Sequence, residues 1–245
     1  MSKFIITIFI SLSFTGVKAE LIKMTTLDWP PFYGKNLKDG GFFTALTNEV
    51  LKLQNHSLKV DFLPWARAVS QGKRGKYHAL LGCWYTKERE KHFIFSKTNV
   101  DSTPHFLARP DSTIKIEKFD NLYGYTIGLI RGYALSPQLK EAISTKKVRK
   151  LEASSHEALF KLLKVKRIDL VLENSTVMKA KLKKKWPSKA FNLKKVGSSF
   201  IDGFLYICWS RKKDGTQKIS EDFNKGLKTI IENGTYERLW KKYGM

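Results

Sequence analysis

The chain has 245 residues, 45 of them Lys or Arg against 22 Asp or Glu, for a net charge of +23, and 42% are apolar and 13% aromatic. That apolar share supports a packed core and excludes a disordered polycation. The excess charge is spread along the chain, with +12 over residues 96–204 and the remainder on either side, so it makes no nucleic-acid footprint.

The first stretch, MSKFIITIFISLSFTGVKAE, has Lys3, an apolar run to about Val17 and the small-residue ending Val17-Lys18-Ala19. It reads as a secretory signal peptide over residues 1–19, cleaved after Ala19. The apolar run is shorter than the roughly 20 residues that span a bilayer. The mature chain, 20–245, is expected to be a soluble periplasmic protein with a net charge of +21. LIKMTTL reads as a strand stopped by Pro30 and Pro31 within LDWPPFYG. FFTALTNEVLKLQ places Phe43, Leu46, Val50 and Leu53 at helical spacing, and SLKVDFL alternates as a half-buried strand. PWARAVSQGKRG opens a helix on proline, and HALLGCW is a continuous apolar run of the kind buried in a parallel sheet.

This strand–helix alternation marks an α/β lobe, and it starts again downstream. STPHFLAR and YTIGLI read as strands, and a helix is expected after Gly132. In SSHEALFKLLK, Ser154 stands three residues before Glu157 as a capping box. RIDLVLEN is a further buried strand, and FLYICWSRK with a closing helix SEDFNKGLKTIIENGTYERLWKKYG ends the chain. Cys83 and Cys208 lie far apart, and sequence leaves their pairing open. The five histidines show no paired metal-ligand spacing, so neither a metal nor a cofactor is expected.

Seven stretches, DWPPFYG, GFFTALTNEVLKL, VDFLPWARAVSQGKRGKYHALLG, YTKEREKHFIFS, NLYGYTIGLIRGYA, LLKVKRIDLVLEN and FNKGLKTIIENGTYERLWKKYG, stand in one order over nearly the whole mature chain. In these the chain resembles bacterial extracellular solute-binding proteins of family 3, the receptors that deliver polar amino acids and similar solutes to ABC transporters. The resemblance implies an α/β, two-lobed, type II periplasmic binding protein fold. Each lobe would be a mostly parallel sheet flanked by helices, with residues 20–95 and 205–245 as lobe 1 and 96–204 as lobe 2. Two crossover strands, expected near Phe93–Lys97 and Tyr206–Ser210, would hinge them over a ligand. The implied partners are a small polar solute and an inner-membrane ABC permease, with the receptor a monomer.

The same resemblance assigns Trp29 to stacking over the ligand, with Phe32 beside it and Trp65 covering the other side. Rigid aromatics give apolar area at little entropic cost and their faces attract cations, although the same side chains also fit as caps of a lobe core. Arg89 matches the arginine whose planar fork grips the ligand carboxylate. Gly132 stands at a strand-to-helix turn where the N–H groups of Tyr133 and Ala134 are candidates to hold an anion. Asn174 falls where amino-acid receptors often carry an ammonium-binding aspartate, and only one of Glu173 and Asn174 can point into the cleft if the strand continues. Gly82 and Trp84 depart from the family's small hydroxyl residues, and Trp84 is expected to crowd that corner, which puts an ordinary α-amino acid ligand in doubt. Two rivals stay open: a cleft enzyme such as a small-acid dehydratase, with Glu173 as acid or base, and a sensory or envelope module for anionic ligands.

Overall fold

The computed structural model describes residues 19–98, 100–185, 192–201 and 203–245; nearly all of the expected signal peptide lies outside them. In chain order the first elements are β1 Leu21–Thr26, α1 Phe42–Lys52, β2 Ser57–Phe62, α2 Trp65–Lys73, β3 Ala79–Cys83, the single turn α3 Lys87–Glu90, and β4 Phe93–Phe95. A second run follows: β5 His105–Ala108, β6 Thr126–Ile130, α4 Pro137–Ser144, β7 Arg149–Ala153, α5 His156–Lys164, β8 Leu170–Glu173, α6 Ser175–Lys185 and β9 Lys194–Ser198. The chain closes with β10 Tyr206–Ser210, α7 Thr216–Glu232 and α8 Thr235–Lys242.

These strands form two five-stranded sheets, in the orders β2-β1-β3-β10-β4 and β7-β6-β8-β5-β9. The continuous apolar runs behave as expected: β3 and β8 are buried along their whole lengths at the middle of their sheets. Each sheet is mixed rather than mostly parallel. β1 runs parallel to β2 and β3, and β6 parallel to β7 and β8, whereas β10 and β5 run antiparallel to their neighbours. The reason is the route of the chain: β5 and β10 arrive from the other sheet and so enter at the carboxyl ends of the parallel strands.

The connections lie beyond the stretches expected to hinge. Phe93–Phe95 and Tyr206–Ser210 are paired strands of the first sheet, and the two segments that join the sheets lie side by side where residues 100–102 meet 203–205. Ser102 N–H donates to the Gly203 carbonyl at 2.9 Å and Leu205 N–H to the Val100 carbonyl at 2.9 Å. A side chain cannot be added at Gly203, where a Cβ would stand 2.2 Å from the Thr103 Cα.

Three local expectations are corrected. The cap of α5 is Ser155, whose hydroxyl accepts from Ala158 N–H, rather than Ser154. The expected helix after Gly132 begins only at Pro137, capped by Ser136. The closing helix breaks in two at Gly234, which takes φ +73°.

Cys83 of β3 and Cys208 of β10 form a disulfide across adjacent strands, with Cα atoms 6.5 Å apart. It closes a loop spanning 125 positions that contains the whole second sheet. Chain-entropy estimates for loops of this length give about 4–5 kcal/mol, and measured losses of native bridges run at about 2–5 kcal/mol. Urea unfolding with and without a reductant should therefore differ by about 2–5 kcal/mol, and the Cys83→Ala/Cys208→Ala protein should match the reduced one. Equal stability in all three would show that the bridge adds nothing.

Candidate functional site

The parallel strands of both sheets point their carboxyl ends at one another, and the expected site residues gather there. Trp29 follows β1 and is held by a reciprocal backbone pair with Tyr33, their N–H and carbonyl groups meeting at 2.8 and 3.2 Å. Its ring stacks on Phe32 at 4.9 Å and on Tyr33 at 5.6 Å. Phe32 itself packs into the first core and does not line the cleft. Gly82 takes φ +79°, and a Cβ there would stand 2.6 Å from the Tyr33 ring, so this corner requires glycine.

Trp84 fills the same corner. Its ring meets Trp29 edge-on at 5.8 Å and Tyr133 at 5.0 Å, and its Nε1–H donates to Ser102 Oγ at 3.0 Å. Trp65 opens α2 and donates from Nε1 to the Gly132 carbonyl at 2.9 Å.

Arg89 sits in the turn α3, whose N-cap Thr86 accepts from Arg89 N–H. Only 6% of Arg89 is exposed. Its guanidinium donates from Nη1 to the Trp84 carbonyl at 2.8 Å and from Nη2 to the Gly132 carbonyl at 3.0 Å, and lies 5.4 Å from the centre of the Trp65 ring. Burial lowers its pKa to about 10, so it stays charged at neutral pH.

The turn at Gly132 works as an acceptor rather than as an anion cradle. Tyr133 N–H is spent on the Ile130 carbonyl at 3.0 Å, the helix starts several residues later, and the Gly132 carbonyl takes both Arg89 and Trp65. Ala134 is buried against the core and does not line the cleft.

Between the two neighbours at the end of β8, Glu173 is the one that turns toward the cleft, where it stands behind the lining residues Trp29 and Tyr133. Asn174 turns its Oδ1 onto the N–H groups of Thr176 and Val177, capping α6, and donates from Nδ2 to the Thr103 carbonyl. Glu173 is fully buried. Its Oε1 accepts from Trp29 Nε1 at 3.1 Å and from Asn174 N–H at 2.6 Å; its Oε2 accepts from the Tyr133 hydroxyl at 2.7 Å and from His156 Nε2 at 2.6 Å. A carboxylate only accepts, so the imidazole carries its proton on Nε2. Burial, and then the Glu173 charge, raise the Tyr133 hydroxyl well above its usual range. His156 is a residue that sequence reasoning missed: as the first residue of an amphipathic helix it carried no motif.

Three of these bonds run between residues that end or follow strands of different sheets: Trp29 to Glu173, and Arg89 and Trp65 to Gly132. Two ion pairs join the rims, Lys181 to Asp28 at 2.5 Å and Lys140 to Glu88 at 2.6 Å. The room left beside Arg89 is about 20 Å³, on the scale of one water. Among the described residues no cluster of His, Cys, Asp or Glu suits a metal ion.

Two outcomes follow from this geometry. Glu173→Gln keeps the shape but turns an NH2 group toward two donors, and should cost about 3 kcal/mol in urea unfolding; a loss under about 0.5 kcal/mol would mean that the carboxylate is not holding its neighbours. The rim pairs set a pH dependence. Burial raises the Asp28 carboxyl, but the hydrogen bond and charge of Lys181 outweigh it and hold it below 3.8; Lys140 does the same for Glu88, below 4.5. Carboxyls that ionise more readily when the rims meet contribute in full at neutral pH and lose that contribution as the pH falls through the acid range below about 4. Small-angle scattering should show an expanding molecule between pH 5 and 3, and a constant radius would remove the rim pairs from closure.

The chain is similar to the arginine-binding periplasmic protein of Mannheimia haemolytica, with 25% identity over 248 residues that cover 99% of this chain and 98% of the relative. Among solved structures it resembles an ancestral arginine-binding protein bound to arginine, with a TM-score of 0.76 and 22% identity over 93% of this chain and 99% of that one. It also resembles a histidine kinase sensor domain with similarity to periplasmic binding proteins, with a TM-score of 0.75 and 19% identity over 91% and 95% of the two chains. These likenesses establish the two-lobed periplasmic binding protein fold. The family description "Bacterial extracellular solute-binding proteins, family 3" matches residues 21–245, and the chain belongs to that family.

Proposed function

We propose that the exported chain, residues 20–245, captures a small polar, carboxylate-bearing solute of amino-acid-like size between its lobes and presents it to an inner-membrane ABC permease. It acts as a monomer and without chemistry on the solute. Residues 20–95 and 205–245 form one lobe, 96–204 the other, and closure about the paired segments 96–104 and 199–205 is the working motion.

The observation that carries this reading is Arg89. A buried guanidinium lies where both lobes meet, and its hydrogen-bond partners are neutral carbonyls. A carboxylate is a stronger acceptor than either carbonyl and matches the planar fork, so an incoming anion can displace them. Trp29, Trp65, Trp84 and Tyr133 supply walls against which the rest of the solute packs. With about 20 Å³ between the closed walls, a solute enters only when the lobes part. The arginine-binding relative supports a receptor role, and the family assignment favours binding over an enzyme built on Glu173.

A thermal-shift screen of amino acids, small carboxylates and polyamines should find stabilising compounds among those with a carboxylate, by RT ln(1 + [L]/Kd). For the best of them, Arg89→Ala should weaken binding by roughly thirtyfold to several thousandfold, corresponding to about 2–5 kcal/mol, and Arg89→Lys should restore only part. Calorimetry on both variants, with circular dichroism to confirm folding, is the check; affinity within about threefold of wild type would reject Arg89 as the anchor.

A further inference from the structure

We infer that the cleft selects carboxylates that lack an ammonium group, so that its solute is a small monocarboxylate with an apolar body rather than an α-amino acid. The inference rests on the receptor reading above and narrows its substrate class.

An ammonium brought into a dry cleft needs an anionic acceptor, because a buried charge without a partner is strongly disfavoured. Glu173 is the acidic residue bonded to the lining residues Trp29 and Tyr133, it stands behind them rather than in the lining, and a carboxylate offers about four acceptor positions. All four are taken by the protein itself, two on each oxygen: Trp29 and the Asn174 N–H on Oε1, Tyr133 and His156 on Oε2. Asn174 offers no substitute, since its Oδ1 caps α6.

Four polar tips of the aromatic walls are spent in the same way. The indole N–H groups of Trp29, Trp65 and Trp84 go to Glu173, the Gly132 carbonyl and Ser102, and the Tyr133 hydroxyl goes to Glu173. What these walls present to a solute is ring surface. Arg89 is the exception, a charge held by neutral acceptors that an anion can replace. An ammonium next to it would meet like charge at close range in a medium of low dielectric. One carboxylate at Arg89 and an apolar remainder against the rings therefore leave no charge unpaired beside these walls, whereas an added ammonium leaves one charge unpaired.

The test uses matched pairs that differ by the ammonium alone: propionate against L-alanine and 3-phenylpropionate against L-phenylalanine. Calorimetry on the purified protein should give, for the pair that fits, a des-amino acid bound at least tenfold more tightly than its amino acid. Tyr133→Phe keeps the ring and frees one acceptor position on Glu173, so it should move the ratio toward the amino acid by tenfold or more. A variant that merely loosened the cleft would weaken both members alike. Equal or tighter binding of the amino acid by the wild-type protein overturns the inference and leaves the receptor reading standing. Failure of every carboxylate to bind the folded protein overturns both, and a ratio that Tyr133→Phe leaves unmoved refutes the role given to the saturated Glu173.

Discussion

A carboxylate with no access to water organises this molecule. Glu173 ends β8, the central strand of the second sheet, and leaving its charge there without partners would cost several kcal/mol. The four donors that satisfy it come from four places: Trp29 in the first lobe, the turn after β6, the first residue of α5, and the backbone leading into α6. Each element is thereby fixed in direction by the need to bring a donor to one point. Trp29 is the donor that belongs to the other lobe, so the same constraint that orders the second lobe also sets where the first one rests against it.

Arg89 is the counterpart on the first lobe, and its chemistry is reversed. Where Glu173 is saturated by donors, Arg89 reaches across the gap to a carbonyl of the turn at Gly132 and back to the carbonyl of Trp84. Neutral carbonyls are enough to let a guanidinium be buried, but they hold it less firmly than a carboxylate would. The cleft thus has one charge fully committed to charge-assisted bonds and one held by neutral acceptors alone.

Much of the architecture was legible because burial leaves a mark on sequence. HALLGCW and RIDLVLEN read as buried strands and became β3 and β8, and Trp29, Trp84 and Arg89 follow such strands closely enough to be placed at their cleft ends. What escaped lacked such a mark. β7, RKLEA, is an edge strand exposed at four of its five positions, and its composition is that of a solvated turn or helix. Asn174 and Glu173 could not be told apart because the choice depends on where β8 stops: one more strand residue would have exchanged the side chain that turns toward the cleft with the one that caps α6. His156 and the Cys83–Cys208 bridge depend on contacts between distant segments, which no local spacing announces. The segments joining the lobes were displaced by several residues, since Phe93–Phe95 and Tyr206–Ser210 carry the apolar content of ordinary strands and serve as such.

Trp84 connects the cleft to those joining segments. Its indole donates to Ser102, and the Ser102 hydroxyl donates in turn to the Gly203 carbonyl on the neighbouring segment, which Thr103 approaches so closely that only glycine fits. On its other side the Trp84 carbonyl accepts from Arg89. Arg89 is therefore hydrogen-bonded to a residue that is itself tied to the segments joining the two sheets. Packed interiors respond to a local shift by moving between discrete arrangements rather than by deforming smoothly. In this protein one residue, Trp84, both lines the cleft and is tied to the segments that join the two sheets, so a shift of the cleft wall and a shift of those segments are mechanically linked.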